Sequence, residues 1–396
     1  MKVFKFGGAS IKDAEAIKNM CAIIGNYTSE KLIVVVSAMG KTTNALEGVL
    51  HLRWNQKDYL SALEEVKAYH RVIMNDLFLT EHTVFGIADK LFEKLEQTIL
   101  LDLPFDELYD QTVSFGELLS STIIGEYLKT CQQNVFWLDA REYIKTDGHF
   151  REGHVDWKLT GELMRHDIYE ILANKLIITQ GFIGGTDDHK TTTLGREGSD
   201  YTAAIFASSL NASEVCVWKD VPGILNADPK LVPDAILFKE LPYQEAAEMT
   251  YYGASVIHPK TIKPLANKKI PLWVKSFDHP DQPGTLIHDC KVERLPPCTI
   301  IKNDQALISF KVIDFTFVNE SNLSLIFHEL SEIDLKINIM QNSAISFSIV
   351  VDYQPIKIET VIDKLKDHFE IRYNTGLQLI TIKNYTMEKL KEYASM

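Results

Sequence analysis

The chain has 396 residues, enough for two or three domains of roughly 150 residues, each with a substantial core. Hydrophobic residues make up 45% and charged residues 24% of it, a composition that excludes disordered, collagen-like and disulfide-stapled chains. With 41 basic and 54 acidic residues the formal charge is −13, which disfavours sequence-independent binding to nucleic acid or to an anionic membrane.

The cysteines and the start of the chain indicate a compartment. Five cysteines is an odd number and no C-x-x-C pair occurs, so neither a disulfide framework nor a zinc ribbon is predicted. The chain opens with the strand-like MKVFKFGG, and no run approaches 18 consecutive apolar residues. We therefore expect a cytoplasmic protein without a signal peptide or membrane segment.

Short β-branched runs alternate with amphipathic helical stretches over the first two thirds of the chain, a pattern typical of an open, mostly parallel sheet covered by helices. The predicted strands are residues 2–6, 32–37, 135–138, 176–179, 215–218 and 272–275. After the first strand, Ser10-x-x-Asp13 has the form of a capping box, and apolar residues follow at helical spacing. This predicts a helix that begins at Ser10.

A domain boundary is predicted near residues 279–297, where prolines cluster around Gly284 and the periodicity lapses. Beyond it the pattern predicts the ferredoxin-like order βαββαβ, over 306–312, 323–333, 336–340, 345–351, 356–365 and 369–373. Two strand-like runs, 298–302 and 377–382, flank this unit, and a short helical stretch, 386–393, closes the chain. We interpret the flanking runs as parts of an incomplete second unit.

Residues beyond the carboxyl ends of the strands are candidate ligand-binding residues in an open α/β sheet. Gly7, Gly8 and Ser10 follow the first predicted strand, and later strands are followed by SAMGKTTN, GFIGG and KDVPG. Adjacent glycines let backbone N–H groups approach phosphate oxygens, and a helix start adds a positive end. The sequence therefore predicts a site for a nucleotide phosphate at this edge.

The common nucleotide and metal motifs are absent. Gly40-Lys41-Thr42 resembles the end of a P-loop, but Val35 stands where its leading glycine is required. There is no G-x-G-x-x-G, no pair of H-R-D and D-F-G, and no H-E-x-x-H or Cys/His cluster, so no metal-ligating residues are predicted. Phosphoryl transfer would have to use another fold.

Four charged residues are candidates, and three of them, Lys5, Glu117 and Asp200, have a structural alternative. Lys5 lies in an apolar strand, where it would otherwise guard a sheet edge, and Arg196 lies in a glycine-rich turn that suits bidentate binding of a carboxylate or phosphate. Glu117 lies in an apolar helical start, where a charge needs a partner or a ligand to offset its desolvation. Its structural alternative is a carboxylate in the first turn that is stabilised by the helix dipole. Ser199 or Asp200 would cap the helix that follows.

Five segments, KFGGAS, SFGELLS, TLGREGSDYTAA, VWKDVPGILNADPK and EAAEMTYYGASVIHP, together resemble the aspartate kinases of the amino-acid kinase family, in order and over nearly the whole chain. The resemblance implies transfer of the γ-phosphoryl group of ATP to the β-carboxylate of L-aspartate, the first step towards lysine, threonine and methionine, with Mg²⁺ accompanying the nucleotide. It implies a catalytic domain over 1–285 and an ACT-type regulatory domain over 298–396, with one complete unit and a truncated second one.

The resemblance also assigns roles to individual residues. Lys5 stabilises the transferring phosphoryl group, and Asp200 organises that lysine. The aspartate-binding positions are Ser37, Thr43, Glu117, Arg196 and Ser199. The nucleotide-binding positions are Lys5, Gly7, Gly8, Ser10, Lys219, Asp220, Leu225, Lys230 and Ser255.

Four positions depart from the family pattern. Glu197 stands where the family often has Gly, Lys219 where it often has Thr, Leu225 where it often has Tyr, and Ser255 where it often has Lys. We hypothesise that Lys219 supplies the cation missing at Ser255.

The regulatory end departs as well. The family's effector loop typically has Gly before an aromatic residue, with an Asp on the next strand, whereas Ser321, Asn322 and Asn338 occupy these places. An amino-acid effector loses a charge-assisted partner there, so weak or altered feedback inhibition is expected. Because unpaired strands favour pairing with another chain, the runs 298–302 and 377–382 predict a homodimer through this region.

Two alternatives stay open at this point. One is a non-catalytic regulatory homologue that binds an amino acid or nucleotide, and the other is an amino-acid kinase that acts on another acidic substrate. All of Lys5, Glu117, Arg196 and Asp200 are retained, which favours the enzyme.

Overall fold

The computed structural model describes residues 1–253, 257–313 and 317–387. The chain divides into two compact units. The first comprises Met1–Ile224, Leu237–Ala247 and the described residues from 257 to Val292. The second comprises Leu225–Ile236, residues 248–253 and the described residues from Glu293 onwards. In the ranges that the structure describes, no helix is both long enough and apolar enough to span a membrane. Most of the predicted helical stretch 386–393 lies outside the described residues.

An eight-stranded sheet forms the centre of the first unit. Its strands are β1 (Lys2–Phe6), β2 (Leu32–Val36), β3 (Val135–Leu138), β4 (Leu176–Gln180), β7 (Glu214–Lys219), β8 (Glu240–Pro242), β9 (Leu272–Ser276) and β10 (Thr285–His288). They lie in the order β3-β4-β2-β1-β7-β9-β10-β8, and neighbours are parallel except β9 and β10. All six predicted strands are present, and the open parallel sheet is confirmed. The proline-rich segment 279–297 contains β10, which the lapse in periodicity concealed.

Helices cover the sheet, and a small hairpin of β5 (Ile183–Gly185) and β6 (Thr191–Thr193) adjoins it. The helices up to Lys268 are α1 (Ala14–Gly25), α2 (Thr42–Trp54), α3 (Leu60–Leu77), α4 (Val84–Ile99), α5 (Phe105–Val113), α6 (Phe115–Thr130), α7 (Ala140–Tyr143), α8 (Trp157–Ile171), α9 (Gly198–Leu210), α10 (Tyr243–Tyr251) and α11 (Pro259–Lys268).

Strand β1 is central in this sheet. In its register Lys5 lies opposite Val35 of β2 and Val217 of β7. The alternative that Lys5 guards an exposed edge is therefore wrong. Two aromatic rings close to it, Phe6 and Trp218, are stacked with centroids 5.9 Å apart, and both side chains are buried. The backbone at Lys5 is thus fixed by the neighbouring strands β2 and β7 and by the packing of these two buried rings.

The first helix begins later than the capping-box pattern predicts. Asp13 is the N-cap of α1 and accepts a hydrogen bond from the Ala16 N–H at 2.8 Å, whereas Ser10 belongs to the 3₁₀ turn Gly8–Ile11. The buried Ser10 hydroxyl donates to the carbonyl of Trp218 at 3.3 Å. This long-range contact fixes Ser10 against β7, so the regular helix starts only after the turn.

The second unit is an antiparallel sheet with two helices. It consists of β11 (Cys298–Val312), α12 (Glu320–Glu332), β12 (Ile337–Asn342), β13 (Ser346–Asp352), α13 (Pro355–Leu365) and β14 (Phe369–Lys383), with the strand order β12-β13-β11-β14. Its core includes the fully buried Ile308, Phe310, Ile326, Ile349 and Val361. The predicted βαββαβ order is confirmed.

The runs 298–302 and 377–382 are not separate strands of a second unit. They continue β11 and β14 and pair with each other, from Cys298 opposite Lys383 to Lys302 opposite Leu379. A register shift between Lys302 and Gln305 interrupts the pairing, and this irregularity made one long strand look like two. The prediction that these runs are unpaired is wrong. Unpaired strands therefore no longer support the predicted homodimer.

Candidate active site

The carboxyl ends of the central parallel strands meet the first turns of α6 and α9 at one edge of the sheet. A cavity of about 500 Å³ lies there, in the position expected for ligands of such sheets. Its lining includes Lys5 and all five residues predicted to bind the amino acid, Ser37, Thr43, Glu117, Arg196 and Ser199. The structure thus brings these residues together, while their individual roles stay predictions.

A buried ion pair forms one side of the site. Lys5 Nζ lies 2.7 Å from Asp200 Oδ1, and Lys219 Nζ lies 3.1 Å from Asp200 Oδ2. Burial opposes ionisation of Asp200, but the two lysines outweigh it and hold its pKa below the usual range. A Cβ at Gly7 would lie 3.4 Å from Lys5 Nζ, so the glycine turn adjoins the lysine. Asp200 is therefore an ionised anchor for two cations.

Helix α9 begins without the predicted cap. Glu197 occupies its N-cap position with φ 55° and ψ 29°, so neither Ser199 nor Asp200 caps the helix. The carboxylate of Glu197 lies 3.7 Å from Lys219 Nζ. Burial lowers the pKa of Lys219, yet Asp200 and Glu197 together raise it above its ordinary value. Two of the four departures from the family pattern are thus ion-paired with each other.

Glu117 lies in the first turn of α6 and is 2% exposed. Its Oε1 accepts a hydrogen bond from the Ala38 N–H at 3.1 Å, while its buried Oε2 has no hydrogen-bond partner among the described residues. Burial raises the pKa of Glu117 to about 8, although Ala38 and Lys5 act in the opposite direction. A cationic ligand in the cavity would supply the missing partner.

Two glycines allow the loops of the site to approach one another. A Cβ at Gly8 would lie 2.6 Å from the Gly40 carbonyl oxygen and 2.8 Å from that of Ala38. A Cβ at Gly181 would lie 2.5 Å from the Ser199 Cβ. Any side chain at these positions would push apart the loops that carry the candidate residues.

Asp110 and Arg151 belong to the site but lie outside every sequence motif described above. Asp110, fully buried on α5, accepts hydrogen bonds of 2.8 Å from the Arg151 N–H and from the N–H and hydroxyl of Thr193. Burial raises the pKa of Asp110 to about 6, although these donors and the Arg151 charge oppose it. Arg151 and Thr193 line the cavity. They are 41 and 83 residues from Asp110, and a single sequence carries no signal for such contacts.

The other predicted nucleotide positions are more dispersed. Ser10 is buried against β7, and Asp220 is exposed just after the end of β7. Leu225 and Lys230 belong to the second unit, and Ser255 lies outside the described residues. Their contact with a nucleotide stays a prediction.

Two of the three predicted effector positions, Asn322 and Asn338, have structural partners in the second unit. Asn322 forms a reciprocal capping box with Asn319, with distances of 3.0 and 3.1 Å. The Asn338 amide donates to Asp352 Oδ1 at 3.0 Å, and Ser321 is exposed in the first turn of α12. Effector binding at these residues stays a prediction.

One group of potential metal ligands lies elsewhere in the first unit. Glu240, His288 and Cys290 place one donor atom each within 4.8 Å of one another, and His288 Nε2 is 3.1 Å from Glu240 Oε2. The sequence pattern predicts no metal ligands and does not indicate this group, since Glu240 is remote in sequence from the other two residues. None of the three lines the cavity.

Comparison with known proteins places the chain in a family. Residues 1–276 match the model of the amino acid kinase family, and the chain belongs to this family. Its relatives include the lysine-sensitive aspartokinase 3 of Escherichia coli K12, with 32% identity over 362 residues, 88% of this chain and 78% of that protein. The bifunctional aspartokinase/homoserine dehydrogenase 2 of Arabidopsis thaliana is 33% identical over 294 residues, 72% of this chain and 32% of that protein.

A solved structure extends the likeness over both units. The crystal structure of Escherichia coli aspartokinase III in complex with aspartate and ADP superposes with a TM-score of 0.85 and 28% identity, covering 98% of this chain and 88% of that one. The resemblance to aspartate kinases that the sequence motifs indicated is confirmed.

Proposed function

We propose that this chain is an ATP-dependent aspartate kinase, which converts L-aspartate and ATP to 4-phospho-L-aspartate and ADP on the route to lysine, threonine and methionine. The observation that carries the proposal is one cavity lined by Lys5, paired with Asp200, together with Glu117 and Arg196. Its support includes the relative of known structure, which binds aspartate and ADP. A non-catalytic homologue and a kinase for another acidic substrate are not favoured.

The reaction requires positioning and charge neutralisation more than a general base. The β-carboxylate of aspartate is already ionised at neutral pH. Its oxygen forms a bond to the γ-phosphorus, and the bond from that phosphorus to the β–γ bridging oxygen breaks, so that the electron pair leaves with ADP. Lys5 neutralises charge on the transferring group, and Asp200 keeps the Lys5 ammonium in place.

The polar side chains of the cavity suit the remaining groups of the amino acid. Glu117, once ionised, takes the α-ammonium group and satisfies its unpaired buried oxygen. Arg196 takes the α-carboxylate, for which its forked guanidinium is suited. The hydroxyls of Ser37, Thr43 and Ser199 complete the proposed amino-acid site.

The phosphates of the nucleotide are proposed to bind at Gly7, Gly8 and Lys5. There is no room for a side chain at position 8, so only glycine fits there. Bound with ATP, Mg²⁺ would neutralise charge on the β- and γ-phosphates. The carboxylates of Asp200 and Glu197 are already ion-paired with lysines. The residues present therefore fit a metal ion held mainly by the phosphates.

The domain and assembly predictions are part of the proposal. Residues 1–285 would form the catalytic domain, and 298–396 an ACT-type regulatory domain through which the chain forms a homodimer. Support for the dimer is that the edge strand β12 exposes Ile339 and Met340. A cytoplasmic location is supported by the five cysteines, all of which are free thiols.

The test is steady-state phosphorylation of L-aspartate with Mg-ATP, with the acyl phosphate trapped as its hydroxamate. We expect turnover on L-aspartate that falls at least about 100-fold in Lys5→Ala, because charge neutralisation at the transferring group is lost. Lys18→Ala is the matched control, since Lys18 is paired on the surface with Glu15. A wild-type protein that phosphorylates glutamate but not aspartate would contradict the proposal, and replacement of ATP by GTP tests the nucleotide.

A further inference from the structure

The cavity contains a second arginine that no motif indicated. Arg151 lines it together with Arg196, and its guanidinium carbon lies 4.1 Å from the centroid of the Tyr109 ring, itself part of the lining. Stacking on an aromatic face restricts the orientation of a guanidinium group and leaves its N–H edge open to an anion.

The backbone of Arg151 is unusual. Its φ is +69°, a left-handed conformation that is strained for a residue with a side chain and that clusters at functional sites. The buried carboxylate of Asp110 holds this conformation by accepting the Arg151 N–H at 2.8 Å. The same carboxylate holds Thr193, three residues before Arg196. One buried group therefore fixes the loops of both arginines.

The present partners of the Arg151 guanidinium are weak. Its terminal nitrogens lie 3.5 Å from Asp106 and 3.6 Å from Glu47, and its side chain is 43% exposed. Charge-assisted hydrogen bonds between such groups are typically about 2.7–2.9 Å long. A carboxylate in the cavity can therefore replace these contacts at little cost, because exposed ion pairs contribute little.

The geometry points to Arg151 as a second substrate-binding arginine, which binds the non-reacting α-carboxylate of the amino acid together with Arg196, with Asp110 and Tyr109 as positioning residues. The inference rests on the proposed function in that the substrate is an amino acid with two carboxylates. Lys5 then faces the reacting carboxylate and the two arginines face the other. The arrangement selects dicarboxylic amino acids against analogues that lack the α-carboxylate.

The test compares Arg151→Gln and Arg151→Lys with the wild-type protein. We expect Arg151→Gln to raise the KM for L-aspartate about tenfold or more, the effect of losing a hydrogen bond between charged groups, with kcat and the KM for ATP changed less than about twofold. Arg151→Lys should recover part of the loss, because it keeps the charge but not the fork. Arg71→Gln on α3, where Arg71 pairs with Asp89 at the surface, is the control.

An analogue identifies which carboxylate is bound. β-Alanine lacks the α-carboxylate, so its inhibition constant against L-aspartate should be the same in the wild-type protein and in Arg151→Gln. An unchanged KM for L-aspartate in Arg151→Gln, an equal rise in the KM for ATP, or an equal loss of β-alanine binding would each overturn the inference.

Direct binding separates this inference from the proposed function. Calorimetric titration with L-aspartate needs no turnover, and thermal melting shows whether each variant is folded. If the wild-type protein binds L-aspartate but does not phosphorylate it, the proposed function fails, and weaker binding by Arg151→Gln still supports the role of Arg151. A wild-type protein that neither binds nor phosphorylates L-aspartate overturns both.

Discussion

A carboxyl group buried in the first turn of α6 must ionise before it can hold an ammonium group. Burial raises the pKa of Glu117 from 4.5 to about 8, so in the empty site it carries a proton over most of the neutral range. The α-ammonium of the amino acid favours the ionised form. Binding of the substrate and loss of this proton are therefore linked.

The linkage predicts a pH dependence. Below pH 8 the free enzyme holds Glu117 protonated, so kcat/KM for L-aspartate should rise with pH and level off near pH 8, with a slope of about tenfold per pH unit well below it. Glu117→Gln should lower kcat/KM at pH 8.5 and flatten this rise. The measurement is the pH profile of kcat/KM between pH 6 and 9.

Glu126→Gln is the control for that profile. Glu126 lies on the same helix and is paired with Lys129 at 2.6 Å, outside the cavity. Its substitution should leave the profile unchanged. A wild-type profile that is flat between pH 6 and 8 would contradict the role given to Glu117.

At the residue scale, sequence reasoning found side chains whose surroundings conflict with their charge. Lys5 in an apolar strand and Glu117 in an apolar helix start are charged residues whose immediate sequence neighbours are apolar, so the sequence alone singles them out. Asp110 and Arg151 do not, because the burial of one and the orientation of the other depend on contacts distant in sequence. Their roles emerge only from the folded chain.

At the scale of elements, the turn after β4 is packed directly against the start of α9. A Cβ at Gly181 would meet the Cα, Cβ and Oγ of Ser199 at 2.5–2.8 Å. Gly181→Ala should lower the free energy of unfolding by about 1–3 kcal/mol, as overpacking does, and reduce activity, because Ser199 and Asp200 would move away from Lys5. Denaturant unfolding and the hydroxamate assay measure the two effects.

A second glycine serves as the control. Gly48 lies within α2, and a Cβ there would meet no atom within 4 Å. Gly48→Ala should stabilise the protein by about 0.5–1 kcal/mol, since alanine favours the helix, and leave activity unchanged. Equal stability of the two variants would show that the turn after β4 tolerates a side chain.

Element types followed from periodicity, whereas several boundaries did not. The strands of the sheet are runs of β-branched residues with a clear pattern. Helix α1 starts after the capping-box pattern because Ser10 is held by Trp218, and β11 and β14 each look like two strands because their pairing contains a register shift. In each case a tertiary contact overrides the local pattern.

For the whole molecule, the assembly prediction now rests on the exposed edge of the second unit. Ile339 and Met340 on β12 are 39% and 61% exposed. If the homodimer forms there, Met340→Lys should convert particles of about twice 45.0 kDa into monomers, because a buried unpaired charge is costly. Light scattering after size-exclusion chromatography measures the mass.

Ile356→Lys is the matched control, since Ile356 is an even more exposed apolar residue, 81% exposed, in the first turn of α13. Its substitution should leave the mass unchanged. A wild-type protein that elutes as a monomer, or a Met340→Lys protein that stays dimeric, would remove β12 as the interface.

The central place of β1 has a consequence for how rigidity is distributed. The amides of Phe4, Lys5 and Phe6 are enclosed by strands on both sides, so they should be among the last to exchange with deuterium. Arg151 and Arg196 lie on loops, and the hydrogen bonds that the buried Asp110 accepts from the Arg151 N–H and from Thr193 tie these loops to α5. The phosphoryl group is thus handled from the interior of the sheet, whereas the carboxylate of the amino acid is recognised from loops anchored by one buried group. A change in the carboxylate that is recognised would therefore alter loop side chains and leave β1 as it is.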